Sequence, residues 1–168
     1  NGFFPKHQSF FVTAQILQNS ILIRDLSSSK SLTIEEIQNQ YPELIETYCH
    51  AYGNETQRII DPDHPQFSSQ AQLLQEEIDS TNAFSLAKQI FSWLKNHTTY
   101  ERHITYQPQP AINTFEKGSG DCDDLTYLYL SLCKAAGIPC RYIKGYLISE
   151  NSAIPHVWAE VFVGPSIT

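Results

Sequence analysis

Gly118-Ser119-Gly120-Asp121-Cys122-Asp123-Asp124, running on into LTYLYLSLCKAAGIP (125–139), is the stretch whose reading decides the fold. Leu125, Leu128, Leu132, Ala135 and Ala136 recur at three- and four-residue steps, so the spacing predicts a helix over 122–136 with one apolar face. Gly137 offers a left-handed C-terminal conformation and Pro139 prevents continuation. Cys122 therefore falls in the first turn. Asp121 or Ser119 is expected as N-cap, with Asp123 and Asp124 complementing the helix dipole.

Downstream, the run His156-Val157-Trp158-Ala159-Glu160-Val161-Phe162-Val163 is patterned as a strand. A cysteine attacks as thiolate, which is stabilised by the unpaired N–H groups of a helix N-terminus and by an imidazole able to hold its proton. Cys122 and His156 are thus the candidate nucleophile and base. A free thiol near pKa ~8.5 is only a few per cent ionised at neutral pH, so His156 is expected to be the main activator. Asp121, Asp123 and Asp124 act in the opposite sense, since nearby negative charge pushes a thiol pKa up. The amide N–H of Cys122, at the unpaired helix end, is the expected oxyanion donor. No second donor can be singled out.

Four motifs from about Ala83 onward resemble the core of the transglutaminase-like superfamily. They are AKQIFSWLKNHTTY (87–100), GSGDCDD (118–124), LCKAAGIPCRYIKGY (132–146) and HVWAEVFV (156–163), in the family's order. The resemblance implies an α+β, papain-like core, with the nucleophile helix packed on an antiparallel sheet and Cys, His and Asp following one another in the chain. It also implies an Asp or Asn on the strand after the histidine, yet no acidic residue follows Glu160. The expectation adopted is that this partner lies beyond Thr168. The alternatives are replacement by another residue, such as Glu160 on the same strand face as His156, or a domain that is not a working enzyme. Some relatives use an upstream Trp as an oxyanion donor; Trp93 reads instead as a packing residue.

The 168 residues carry 41% hydrophobic and 17% charged side chains, enough for one substantial core. Net charge −7 argues against nucleic acid or an anionic membrane as partner, and no apolar run approaches the twenty residues of a membrane span. Cys49, Cys122, Cys133 and Cys140 lack metal-ligand spacing, so no zinc site is expected; capping is the preferred role of the three aspartates over calcium binding. Cys133 and Cys140 read as small buried hydrophobes, although a Cys133–Cys140 or Cys49 disulfide stays open. A chain without methionine reads as a processed product or a fragment. Its compartment stays open, with a lean to an extracytoplasmic setting.

An N-terminal, mostly helical extension is expected over 1–66 and the catalytic core over 67–168, divided at Asp61-Pro62-Asp63-His64-Pro65 (DPDHP), where position 62 is proline. Within the first part, Phe10 to Leu26 fits either strand or helix. Thr33 caps a helix with Glu36 three residues on, and after Pro42 a second helix is expected to run through Tyr48 to Gly53. In the core, helices are expected over 68–78 and 83–97, the latter with Ala87, Ile90, Phe91 and Leu94 as its apolar stripe. The stretch Tyr100 to Phe115 reads as a loop forming one wall of a groove, and strands are expected over 141–148 and 157–163 with a loop between.

The function expected is amide or peptide acyl transfer through a Cys122 thioester, with peptidase or amidase action favoured over crosslinking. The partner is a protein or peptide substrate, and no cofactor is required. The alternative is a catalytically inactive module that kept the fold for protein interaction. A disulfide oxidoreductase would need a close cysteine pair that the spacing does not offer.

Overall fold

The computed structural model describes residues 31–54, 57–78, 80–102, 109–149 and 152–165. Phe10 to Leu26, read two ways above, lies outside them, as do His7 and His103. The described elements are α1 (Ile34–Gln40), α2 (Pro42–Tyr48), β1 (Tyr52–Asn54), β2 (Gln57–Ile60), α3 (Pro65–Ile78) and α4 (Ala83–His97). They continue with β3 (Thr99–Tyr100), α5 (Ala111–Lys117), β4 (Ser119–Gly120), α6 (Cys122–Ala135), β5 (Cys140–Ser149) and β6 (Ser152–Val161). Helices and short sheets together make the α+β class that the sequence implied.

Helix α6 is the centre of the molecule. It touches α3, α4, α5, β2, β4, β5 and β6, and Leu128, Leu130, Leu132 and Cys133 are buried on it. Burial therefore wraps around the helix rather than following a single stripe. Phe67 and Leu74 from α3, Leu86 and Ile90 from α4 and Ala111 from α5 complete the same cluster. Each such aliphatic side chain removed from water contributes about 1.5–3 kcal/mol.

β5 and β6 form an antiparallel hairpin in continuous register, from Cys140 opposite Val161 to Ser149 opposite Ser152. The loop expected between the strands is shorter than predicted, and Ser152 to His156 belong to β6. Pro155 is accommodated opposite Tyr146, since a two-stranded sheet leaves each strand a free edge where a missing N–H costs nothing. Val157 is buried, and Ala159 and Val161 pack on the core from the same strand face, while His156, Trp158 and Glu160 alternate to the other.

Three further expectations are corrected. Ala111–Lys117, read as loop, is helix α5: Pro110 occupies its N-cap and Gly118, at φ 70°, its left-handed C-cap. Tyr52 and Gly53 leave the helical path and pair with β2, because Gly53 sits at φ 133°, outside the helical basin. Phe91 is exposed rather than core, resting edge-on against Tyr129.

The first described residues are fastened to the end of the chain. Leu32 N–H donates to Val163 C=O at 2.9 Å, Ala83 N–H to Leu32 C=O at 2.9 Å, and Tyr41 meets Phe162 edge-to-face at 5.0 Å. Thr33 makes the expected capping box with Glu36. Ile60, from the segment assigned to the extension, is buried in the same cluster as Leu128.

Candidate active site

The turn before α6 is built to present a side chain at residue 122. Asp121 is the N-cap: its carboxylate accepts from the amides of Asp123 (3.0 Å) and Asp124 (3.4 Å). Asp124, only 2% exposed, folds back so that its own carboxylate accepts from the Asp121 amide at 3.1 Å and from the Gln109 amide at 3.3 Å. A reciprocal box of this kind satisfies the helix donors on both sides of the thiol while leaving the Cys122 amide outside it. Gly120 is required for closeness, since a Cβ there would lie 2.5 Å from Asp124 Cβ. Ser119, the other cap candidate, donates instead to Glu101 at 2.7 Å.

Cys122 and His156 open into one cavity of about 360 Å³. Leu125, Thr126 and Tyr129 of α6 form one wall, Val157, Trp158 and Ala159 of β6 another, and Phe91, Leu94 and Tyr100 the rest. The two candidate residues, 34 positions apart in the chain, thus line the same cavity from elements that pack on each other. Most of the lining is apolar, and among the described lining residues none is a carboxylate.

Burial raises the Cys122 thiol pKa, and the charges of Asp123 and then Asp121 raise it further. The backbone amides of Asp123 and Cys122, at the helix N-terminus, pull the other way. The resting thiol is therefore protonated at neutral pH, and its activation needs a base. This is the opposition anticipated from the sequence, with burial ahead of the aspartates as its largest cause.

Asp123 is held by Tyr142, whose hydroxyl donates to its carboxylate, and Tyr142 stacks on Tyr127 with ring centres 5.4 Å apart. Oxygen and sulfur atoms of Asp121, Cys122 and Asp123 lie within 4.8 Å of one another. The Asp121 carboxylate serves the helix end and that of Asp123 the Tyr142 hydroxyl.

Trp158 lies beside His156 on the same face, 40% exposed. Its indole covers Gly145, the residue paired with His156: a Cβ at 145 would come within 2.7 Å of the ring. A glycine inside a strand pattern was the available signal for this close approach. Glu160, considered as a partner for His156, is committed elsewhere. Its carboxylate takes two contacts from Arg141, at 2.8 Å from Nε and 2.7 Å from Nη2, and it lies four positions along the strand from His156, about 13 Å along the backbone. Trp93 stacks on His97 and Phe115, at 4.8 and 5.5 Å, and is not part of the cavity wall, in keeping with a packing role.

All four cysteines are free thiols. Cys133 and Cys140 are buried, as expected of small hydrophobes, and burial drives the Cys140 thiol well above its ordinary range. Cys49 is pushed up to about 11, by burial and then by the neighbouring Cys140. No described helix is long and apolar enough to cross a membrane.

Residues 72–166, more than half of the chain, match the sequence model of the Transglutaminase-like superfamily. A crystal structure named as that of a "Putative Cysteine Protease" from Cytophaga hutchinsonii superposes with a TM-score of 0.54 at 21% identity, over 80% of this chain and 42% of that one. An uncharacterised protein of Mycobacterium leprae is 25% identical over 80 residues, which are 43% of this chain and 29% of that protein. The chain thus spans less than half the length of either relative.

Proposed function

The chain belongs to the transglutaminase-like superfamily, and from that premise we propose that it is a cysteine acyl-transfer enzyme acting on peptide or amide bonds. The observation that carries this reading is the single cavity shared by Cys122, at a helix N-terminus, and His156. His156 takes the thiol proton, and Cys122 sulfur attacks the carbonyl carbon to give a tetrahedral oxyanion. As the carbonyl re-forms, the C–N bond breaks and the leaving amine receives the proton from His156. The thioester that remains is released by water or by an acceptor amine.

The raised pKa of Cys122 favours this sequence over one starting from a standing thiolate, because proton removal is then coupled to attack. The apolar lining favours hydrolysis of peptides with a bulky apolar side chain beside the scissile carbonyl: Leu94, Leu125 and Tyr129 can enclose such a group, whereas a glutamine carboxamide would meet few polar partners. The other reading, an inactive interaction module, draws on the absence of a carboxylate among the described lining residues.

Incubation with a defined peptide mixture, read by mass spectrometry alongside an amine probe such as dansylcadaverine, tests the proposal. Cleavage next to Leu or Phe, lost in Cys122→Ala and in His156→Ala, is expected. Amine incorporation exceeding hydrolysis would assign the protein to crosslinking instead. No turnover, together with slow iodoacetamide labelling of all four cysteines alike, would favour the interaction module.

A further inference from the structure

A tetrahedral oxyanion beside Cys122 needs more than one hydrogen-bond donor, and the Cys122 amide supplies the first. Trp93, read from the sequence as a packing residue rather than a donor, is stacked on His97 and Phe115. On the foundation of the acyl-transfer reading above, we propose that the hydroxyl of Tyr100 is the second oxyanion donor.

Three observations carry the assignment. Tyr100 lines the same cavity as Cys122 and His156. Its backbone is tied to the nucleophile turn, since β3 runs parallel to β4 with Tyr100 opposite Gly120, two residues before Cys122. Thr99 N–H donates to Gly118 C=O and Glu101 N–H to Gly120 C=O, both at 2.9 Å, so the tyrosine is gripped on either side. The pairing holds the residue's backbone beside the nucleophile turn before charge develops, and early placement is what makes such donors effective. Third, the ring is 60% exposed and, among the described residues, no hydrogen bond engages its hydroxyl. The proton is free to be offered to a bound substrate.

The electrostatics agree with the geometry. Burial first, and then the charge of Cys122 whenever its thiol is ionised, hold the Tyr100 proton more tightly than usual, so the phenol stays a neutral donor throughout the working range. During the step, electrons of the carbonyl π bond move to oxygen as sulfur bonds to carbon. Tyr100 keeps its proton and shares it with that oxygen, and the same electrons return when the C–N bond breaks. No net proton passes through the phenol.

Of the other hydroxyls in the lining, that of Tyr129 donates to the Ala87 carbonyl at 3.1 Å and that of Thr126 is nearly buried one turn into α6; Tyr52, as exposed as Tyr100 and outside the lining, serves as the control. The test compares Tyr100→Phe with Tyr52→Phe in three readouts: peptide hydrolysis, iodoacetamide alkylation of Cys122, and inhibition by a peptide aldehyde, whose hemithioacetal places an oxygen where the oxyanion would form. Tyr100→Phe is expected to lower kcat by about 10²-fold with KM within about threefold, to weaken the aldehyde by a similar factor, and to leave the alkylation rate unchanged, because alkylation forms no oxyanion. Tyr52→Phe should change none of these by more than about twofold. Normal kcat and normal aldehyde inhibition in Tyr100→Phe, or a fall that follows the alkylation rate, would overturn the assignment while leaving Cys122 and His156 in place. A wild-type chain that neither hydrolyses peptides nor binds the aldehyde would overturn the tyrosine and the underlying reading together.

Discussion

Replacing Asp123 by asparagine should make Cys122 more reactive, not less. The carboxylate and the sulfur lie within 4.8 Å, and the negative charge of Asp123 is the leading charge effect opposing a thiolate. At that distance Coulomb's law gives about 0.9 kcal/mol in a fully aqueous dielectric and about twice that at half the dielectric, the range suited to a half-exposed group. Removing the charge lowers the thiol pKa, and where the thiol is mostly protonated that energy corresponds to about four- to twentyfold more thiolate. Its nucleophilicity falls as basicity falls, which takes back about half of the logarithm. The net expectation is an alkylation rate at pH 7 about two- to fivefold above wild type, and a rate–pH profile displaced to lower pH. Asparagine keeps an oxygen for the Tyr142 hydroxyl, so the comparison isolates the charge. The assay is iodoacetamide labelling of Cys122 across pH 5–10, followed by peptide mapping. A profile that stays put or moves to higher pH would refute the electrostatic account of the turn.

The remaining expectations probe the scaffold around that turn. Gly120→Ala sets a Cβ against Asp124 Cβ at 2.5 Å and disturbs the capping box, so urea denaturation should report a loss of about 1–3 kcal/mol, with Cys122 alkylation altered as well. Gly145→Ala should push the Trp158 indole off the strand beside His156: a shift in tryptophan emission and a fall in peptide hydrolysis are expected, with the melting temperature nearly kept. Glu160→Gln should leave peptide hydrolysis within about twofold of wild type and cost less than about 1 kcal/mol in stability by urea denaturation, because Glu160 and Arg141 form an exposed pair remote from the imidazole.

Legibility in the sequence followed how much each element depends on local pattern. Helix α6, its stop at Gly137 and the strand carrying His156 could be read because periodicity, caps and spacing agree in 118–163. The capping role of Asp121 followed for the same reason, and the shared cavity needs only that α6 pack on β6. Helix α5 was hidden because Pro108 and Pro110 and a length of seven residues resemble a loop, although Pro110 ends as its cap. β1 was hidden because its three residues are all exposed and carry no alternation. Phe91 fits the apolar stripe of α4, yet it borders the cavity, where tertiary packing leaves it uncovered. Tyr100 and Gly145 acquire their importance only through strand pairing and a neighbouring indole, neither of which leaves a periodic trace.

The most direct check on the Cys122–His156 pairing uses 1,3-dibromoacetone, a short reagent that alkylates a thiol and then captures a nucleophile within a few ångströms. Digestion of the treated chain and mass spectrometry should find one bridged peptide pair joining Cys122 to His156, absent after prior protection with iodoacetamide. A bridge from Cys122 to some other residue, or attachment at Cys122 with His156 untouched, would contradict the account.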